Sequence, residues 1–434
     1  MQSEGKILDG SLQTKYDVCV VGLGYIGLPT ATVLANSGVA VLGVDISPTV
    51  VETINDGRIH IVEPGLEAAV STAVQNKRLT ASLAPHFASC YVIAVPTPLR
   101  DDKTANLDYV LAAARTVAPL LEHETLVILE STSPPGTTRK ISELVRAERP
   151  DLVDESGKQT VLFAHAPERV LPGRAMREII ENDRVIGGLT PEASDRAADL
   201  YRKFVTGGIL LTDATTAELV KLAENSFRDV NIAFANELSE IADEVSVNVW
   251  DVVRLANRHP RVNIMQPGPG VGGHCIAVDP WFIVDAAPAV SKLIRTARTI
   301  NDGRPERVVR DVLSKVGRLP TGGKVAILGL AFKPNIDDLR ASPALAIADT
   351  LLRIAPGTEF LISEPNIHEM PAALERYSNA IMVDDVRVAI GESDLVVLLV
   401  DHSEYRQLPN PKLQGKTIVD TRGVWSTIDI REVI

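Results

Sequence analysis

Short apolar runs alternate with amphipathic stretches through the first half of the chain. From Asp17 the order is strand, glycine turn, helix and strand: DVCVVG, a helix through about Ser37, and then VAVLGVD. Further apolar runs follow as YVIAVP, TLVILES, TVLFAHA and RVIGG, with helical stretches between them. This alternation predicts a parallel, doubly wound sheet over roughly residues 15 to 210.

The middle of the chain predicts one long helix. Between Ile209 and His259 there is neither Gly nor Pro, and helical periodicity follows a candidate N-cap at Thr212 or Asp213. Such a helix between two α/β units commonly buries its apolar stripe against a second subunit, so we expect a homodimer. The alternative is that the stripe packs only within its own chain.

A second strand-turn-helix pattern begins after about Pro320, with KVAILGLAFKPNIDDLRASPALAIADTLL followed by EFLIS, LVVLLVD and TIVDTRG. The fold class predicted is therefore α/β, with two Rossmann-like doubly wound domains joined by a long central helix. The expected boundaries are residues 1–210 for the first domain, 211–318 for the central helical region and 319–434 for the last domain.

Composition excludes several classes of protein. The chain has 434 residues, 45% of them hydrophobic, and a formal net charge of −12, which disfavours nucleic acid as a partner. Only three cysteines occur, so neither a disulfide framework nor a metal site is expected. The polar start MQSEGKILDG is unlike a signal peptide, and no apolar run is long enough to span a membrane, so a cytoplasmic location is expected.

A dinucleotide motif stands at the first turn. Gly22, Gly24 and Gly27 follow an apolar strand and open a helix, and Asp45 lies eighteen residues beyond Gly27 at the end of the next strand. The glycines let the backbone approach a pyrophosphate at a helix N-terminus, and the carboxylate can accept from both ribose hydroxyls. Because a carboxylate repels a 2′-phosphate, NAD is favoured over NADP.

A single cysteine lies in a glycine-dense loop, PGPGVGGHCIAVDPWF at residues 267–282, with Asp279 four residues after Cys275. An aldehyde surrenders a second hydride only after a nucleophile has made its carbon tetrahedral, and a thiolate is well suited to that addition. The glycines allow close approach of substrate to the sulfur and of backbone N–H groups to the oxygen. The alternative is a small buried hydrophobe in a turn.

Further polar candidates lie at strand ends and on the central helix. Thr97 and Thr132 follow predicted strands, where they can contact the cofactor. Lys221 and Asn225 are one helical turn apart, and such a pair can stabilise an oxyanion or relay a proton, unless the lysine is simply solvated. Glu168 follows TVLFAHA, where it can activate water.

Cations cluster near the cysteine loop and in the last domain. Arg258 and Arg261 stand just before the loop and suit an anionic substrate, although a plain charged turn is the competing interpretation. Lys333, with help from Arg340, fits a nucleotide diphosphate, and Arg422 is a further anion candidate.

Taken together, GLGYIGLP, ESTSPPGTT, the Lys221/Asn225 helix, GVGGHCIAVDP and GLAFKPNIDDLRASP resemble, in order and spacing, the UDP-sugar/GDP-mannose 6-dehydrogenase family. The resemblance extends from Asp17 to about Trp425. Within that family the loop is most similar to that of members acting on UDP-N-acetyl-D-mannosamine. Members acting on UDP-glucose tend to carry Ser and Lys where this chain has His274 and Val278.

The resemblance implies an NAD-dependent four-electron oxidation of C6 of a UDP-N-acetylhexosamine, with the mannosamine epimer favoured and UDP-N-acetylglucosamine as the alternative. Cys275 would carry a thiohemiacetal and then a thioester. Lys221 and Asn225 would hold the developing oxyanion, Asp279 would pair with Lys221 or a water, and Glu168 would help water hydrolyse the thioester. The product would feed polysaccharide biosynthesis.

The resemblance also distributes the binding roles. It implies that the first domain binds NAD, the central region carries dimerisation and the catalytic loop, and the last domain binds the UDP-sugar. The residues matching family contacts to the cofactor are Gly22, Gly24, Gly27, Asp45, Thr97 and Thr132, with Arg340 reaching the pyrophosphate. Lys333 matches a nucleotide-sugar contact, and Arg261 matches an arginine that reaches the neighbouring subunit's substrate.

Two rival classes remain open. A simple β-hydroxyacid dehydrogenase shares the first Rossmann unit and a catalytic lysine, but it needs neither a third domain nor Cys275. A non-catalytic NAD-sensing protein would have no chemical need for Lys221, Asn225, Cys275 and Asp279 together.

Overall fold

The computed structural model describes residues 16–171, 173–273, 275–410 and 415–426. Residues 1–15, on which the expectation about a signal peptide rests, and His274 lie outside the described residues. The chain divides into two compact units, Met1–Ala223 and Glu224–Ile434. Across the described residues, each helix is either too short or too polar to span a bilayer.

The first unit is built on an eight-stranded sheet in the order β3-β2-β1-β4-β5-β6-β7-β8. Its strands are β1 Tyr16–Val21, β2 Val41–Val44, β3 Leu79–Ser82, β4 Ala88–Ile93, β5 Leu126–Leu129, β6 Leu162–His165, β7 Arg184–Gly188 and β8 Ile209–Asp213. Side chains of β1 alternate between two apolar clusters, with Val18 and Val20 in one and Cys19 and Val21 in the other, so both faces of the sheet are covered.

Helices flank this sheet and connect its strands. They are α1 Gly27–Asn36, α2 Pro48–Asn55, α3 Leu66–Gln75, α4 Asp108–Val117, α5 Thr137–Glu148, α6 Ala175–Glu181 and α7 Pro191–Tyr201, with a 3₁₀ turn at Ala118–Leu120. Pro residues at the first positions of α2 and α7 follow N-caps Ser47 and Thr190, which accept backbone N–H groups. The first six strands follow the Rossmann order that was predicted.

The prediction of an all-parallel sheet was wrong at one pairing. β7 runs antiparallel to β6, with Ala164 opposite Gly188 and His165 opposite Gly187, while β7 and β8 are parallel. An apolar run such as RVIGG specifies burial on both faces but does not specify direction. The reversal places the start of β7 beside the carboxyl end of β6.

The long helix α8, Ala214–Glu244, begins in the first unit and ends in the second. Asp213 is its N-cap, since Asp213 Oδ1 accepts the Thr216 N–H at 3.0 Å. The long helix predicted over TDATTAELVKLAENSFRDVNIAFANELSEIADEV, behind an N-cap at Thr212 or Asp213, is confirmed, and the chain turns after Glu244 even without Gly or Pro. Ser246 adopts a left-handed φ of 58° and Asn248 caps the next helix.

The second unit contains a five-stranded, fully parallel sheet in the order β11-β10-β9-β12-β13. Its strands are β9 Lys324–Leu328, β10 Glu359–Ser363, β11 Ala380–Met382, β12 Leu395–Leu398 and β13 Thr417–Asp420. Its helices are α9 Val249–Ala256, α10 Asp279–Ala286, α11 Lys292–Val316, α12 Pro343–Ile354, α13 Val386–Glu392 and α14 Ser403–Arg406. This second doubly wound sheet confirms the predicted fold class.

Candidate active site

The turn after β1 leaves no room for a side chain at Gly22 or Gly27, whereas the space around Gly24 is open. Gly22 has a φ of 94°, and a Cβ on Gly27 would lie 1.8 Å from the Gly22 carbonyl oxygen. Gly27 also begins α1, so the first N–H groups of that helix face the turn. Asp45, directly after β2, accepts the Leu23 N–H at 3.1 Å, which brings the carboxylate to the same turn. The donor groups and the open backbone fit a dinucleotide pyrophosphate and ribose.

The loops after β4 and β5 meet each other. Thr97 Oγ1 donates to the Thr132 carbonyl oxygen at 2.7 Å, so the two predicted cofactor threonines are adjacent at the carboxyl edge of the sheet. Sequence reasoning missed the residue that anchors the second loop. Glu218 accepts the N–H groups of Gly136 and Thr138 at 2.5 and 2.7 Å. Gly136 caps α5 without a side chain, so the orphan N–H groups of that helix need an acceptor from elsewhere.

Cys275 is exposed and lies in the turn that leads into α10. Its carbonyl oxygen accepts the N–H groups of Val278 and Asp279 at 3.0 and 2.8 Å. Asp279 begins α10 and is buried, with Oδ2 accepting from Asn225 Nδ2 at 2.5 Å. The thiol, the carboxylate and the amide predicted from the sequence therefore belong to one connected arrangement, with the amide of Asn225 held in one orientation.

The other cysteines differ from Cys275 in environment. Cys19 and Cys90 are buried in β1 and β4. Burial raises the pKa of Cys19 to about 12 and raises the pKa of Cys90 further. Since the thiolate is the reactive form, burial disfavours nucleophilic chemistry at Cys19 and Cys90, whereas Cys275 is exposed.

The glycines before Cys275 serve packing. A Cβ on Gly273 would lie 2.9 Å from the Phe332 ring, and one on Gly272 would lie 2.7 Å from the Ala341 carbonyl oxygen. A Cβ on Gly268 would lie 2.5 Å from Arg422 Nη1. Gly270 and Gly273 also have positive φ values of 145° and 82°, and the loop packs closely against the segment that follows β9. The access of substrate to the sulfur stays a prediction.

The loop after β9 carries Lys333, which is half-buried. Asn335, two residues on, has a left-handed φ of 62° and is held by His402 and Ser403: the Asn335 N–H donates to His402 Nδ1 at 3.0 Å, and the Ser403 N–H donates to Asn335 Oδ1 at 3.0 Å. Buried His402 also contacts Glu364 at 3.2 Å. Nothing in the local sequence around Lys333 signals these partners.

The predicted arginines lie in different settings. Arg422 pairs with Asp401, with Nε and Oδ1 2.8 Å apart, beside the glycine loop. Arg340 pairs with Asp338 at 2.7 Å and is half-exposed. Arg261 is exposed in the turn after α9, where Arg258 also lies.

Glu168 and Lys221 belong to the first unit. Lys221 is half-buried on α8, the helix that also carries Asn225. Glu168 follows β6 and is buried, with Oε2 accepting from Arg184 Nη2 at 2.5 Å and Oε1 accepting from the Arg169 N–H at 2.7 Å. Both oxygens of this carboxylate are therefore fixed.

Similarity to known proteins covers nearly the whole chain. Residues 16–205, 215–303 and 326–427 match, in turn, the NAD binding domain, the central domain and the UDP binding domain of the UDP-glucose/GDP-mannose dehydrogenase family.

Individual relatives agree with this assignment. The chain is 54% identical to an NDP-N-acetyl-D-galactosaminuronic acid dehydrogenase of Ralstonia nicotianae, over 94% of this chain and 96% of that one. It is 51% identical to the UDP-N-acetyl-D-mannosamine dehydrogenase of Escherichia coli K12, over 94% and 99%. The structure of the UDP-N-acetyl-mannosamine dehydrogenase of Staphylococcus aureus is 39% identical, with a TM-score of 0.80 over 96% of each chain. The chain therefore belongs to the UDP-glucose/GDP-mannose dehydrogenase family, as an NAD-dependent oxidoreductase that acts on a UDP-sugar.

Proposed function

We propose that the protein oxidises C6 of UDP-N-acetyl-D-mannosamine to the uronic acid through a covalent intermediate on Cys275. The observation that carries this proposal is the turn in which exposed Cys275 leads into buried Asp279, itself bonded to Asn225 at 2.5 Å. The Gly22–Gly27 turn, Asp45, Thr97 and Thr132 would hold NAD, and two NAD molecules bound in succession would each accept one hydride, one for each oxidation.

Separate side chains form the covalent adduct, stabilise the oxyanion, promote hydrolysis and bind the substrate. The Cys275 thiolate adds to the C6 aldehyde, forming a C–S bond while the carbonyl oxygen becomes an oxyanion. Asn225 and Lys221 donate to that oxyanion, and Asp279 fixes the Asn225 amide. After the second oxidation, Glu168 orients the water that attacks the thioester, and the sulfur leaves as thiolate. Lys333 and Arg422 bind the nucleotide diphosphate end of the substrate, and Arg340 reaches the pyrophosphate of the cofactor.

Substrate preference is tested by initial rates of NADH formation with four UDP-sugars. The mannosamine assignment is supported by the relatives bearing that name at 51% identity. UDP-N-acetylgalactosamine is a second candidate, because relatives at 54% and 52% identity are named for the galactosaminuronic acid product. We expect kcat/KM for UDP-N-acetylmannosamine to exceed that for the glucosamine and galactosamine epimers and UDP-glucose by about tenfold or more. A higher kcat/KM for any of the other three would overturn the assignment.

We further propose that the protein works as a homodimer through an exposed apolar stripe on α8. Phe227, Phe234 and Ile241 are 67%, 53% and 50% exposed and recur every seven residues, which keeps them near one face of the helix. Large apolar side chains in a row are the usual mark of a surface that meets another chain. A second copy is the occupant that also gives exposed Arg261 its proposed role at the neighbouring subunit's substrate.

Replacing Phe234 by Glu tests this interface. We expect sedimentation velocity to report a monomer, and the KM for the UDP-sugar to rise about tenfold as the neighbour's Arg261 is lost from the site. Val388→Glu is the matched control, since Val388 is 45% exposed on a different helix, α13. A dimer that persists in Phe234→Glu with an unchanged KM would contradict the proposal.

A further inference from the structure

We propose that Arg184 and Glu130 are positioning residues for Glu168, with the ionisation of Glu130 deciding how the Arg184 guanidinium is shared between the two carboxylates. The inference rests on the proposed function, because it concerns the residue assigned to orient the hydrolytic water. Within the first unit these groups form one buried cluster with Tyr201.

The cluster follows from the direction of β7. In the antiparallel register His165 lies opposite Gly187, and extending that register three residues brings Glu168 opposite Arg184. A parallel β7 would have placed Arg184 at the other edge of the sheet. Glu130 follows β5, the neighbour of β6, and completes the row.

The contacts are unequal. Arg184 Nη2 lies 2.5 Å from Glu168 Oε2, whereas Arg184 Nη1 lies 3.6 Å from Glu130 Oε1. Tyr201 Oη donates to Glu130 Oε1 at 3.1 Å, and the Arg184 guanidinium lies 4.8 Å from the centre of the Tyr201 ring. Among the described residues, Glu130 Oε2 and Arg184 Nη1 have no hydrogen-bond partner, so the guanidinium retains donor capacity on the Glu130 side.

One cation between two buried carboxylates leaves the charge unbalanced. Burial, together with the charge of Glu168, raises the pKa of Glu130 to about 7, despite the opposing effect of Arg184. Tyr201 stays neutral, because burial raises its pKa well above the usual range. Arg184, Glu168 and Tyr201 are the charged and titratable groups that act on Glu130.

Two states follow. Below neutral pH, Glu130 is protonated and uncharged, so the positive charge of Arg184 neutralises the Glu168 carboxylate alone. Above neutral pH, ionised Glu130 shares the cation, so the Glu168 carboxylate is a stronger hydrogen-bond acceptor for the water that attacks the thioester. The structure therefore assigns to Glu130 a rise in thioester hydrolysis between about pH 6 and 8.

The test combines Glu130→Gln with a readout of the hydrolytic step. The Cys275 adduct is quenched at successive times and quantified by intact mass between pH 6 and 8. Glu130→Gln imitates the protonated, uncharged Glu130 at every pH. We therefore expect thioester hydrolysis in the variant to be about tenfold slower than in the wild type at pH 8 and equally fast at pH 6. The rate of the first oxidation and NAD affinity should be unchanged. If the ratio of the variant's hydrolysis rate to the wild-type rate does not change with pH, the proposal is overturned.

A second variant keeps the test independent of how well Glu130→Gln folds. Tyr201→Phe removes a hydrogen bond to ionised Glu130, so the pH at which the hydrolysis rate rises should be higher than in the wild type. If that pH is unchanged, the result counts against the proposal. Infrared difference spectra of the substrate-free protein should show a protonated carboxyl that titrates near neutral pH and shifts upward in Tyr201→Phe. If the proposed function is wrong, no Cys275 adduct forms, but the carboxyl band still titrates. If the carboxyl band is absent, the inference about Glu130 is wrong and the proposed function is unaffected.

Discussion

Replacing Cys275 by Ala is expected to lower NADH production from the UDP-sugar by at least about 10³-fold, because no other side chain can carry the thioester. NAD affinity should stay at the wild-type value, since the cofactor turn at Gly22 and Gly27 belongs to the first unit and Cys275 to the second. Steady-state absorbance of NADH measures the turnover, and isothermal titration calorimetry with NAD measures the affinity.

Cys90→Ala is the matched control. Cys90 is buried in β4 with a raised pKa, so its removal should leave turnover within about twofold of wild type. Mild alkylation should label Cys275 and spare Cys19 and Cys90, in parallel with the loss of activity. Full turnover in Cys275→Ala would refute the covalent route.

Replacing Arg298 by Met should reduce the free energy of unfolding of the second unit by about 3–5 kcal/mol. Arg298 on α11 donates to Asp229 on α8 at 2.5 Å, and their side chains are 1% and 0% exposed. Removing the cation leaves a buried carboxylate whose remaining donor is Asn301. Tryptophan fluorescence in urea reports this unit selectively, because Trp250, Trp281 and Trp425 all lie within it.

Two controls separate burial from charge. Arg310→Met removes an exposed partner of Glu306 on the same helix, where the two groups are 3.9 Å apart, and should cost less than about 1 kcal/mol. Adding Asp229→Leu to Arg298→Met removes the orphaned carboxylate and should recover most of the lost stability. If Arg298→Met and Arg310→Met reduce the free energy of unfolding equally, the buried ion pair is no more important for stability than the exposed one.

Most of the fold could be predicted from local patterns in the sequence. The Gly22–Gly27 turn and Asp45 were predictable because turn, helix start and acidic residue are close in sequence, and β9 to β10 repeats the same strand-turn-helix-strand pattern. The strands missed were β3, β8 and β11, which are all edge strands. Strand β8 also leads directly into the N-cap of α8.

The site was predicted less completely, because its supports come from distant parts of the chain. Cys275, Asp279 and Asn225 were identified from residue type and spacing, and the structure joins them. Arg184 was not, since its contact with Glu168 depends on the direction of β7, which an apolar run does not encode. His402, which holds the Lys333 loop from 67 residues beyond Asn335, carries no local signal either.

The number of NADH molecules formed per sugar decides whether the oxidation through Cys275 removes four electrons. Purified protein is supplied with excess NAD and limiting UDP-N-acetylmannosamine until the absorbance is constant. Two NADH per sugar consumed, with the uronic acid as sole product, is the expected result. One NADH per sugar, with an aldehyde released, would rule out the thioester route, because a single oxidation has no need of the Cys275 nucleophile.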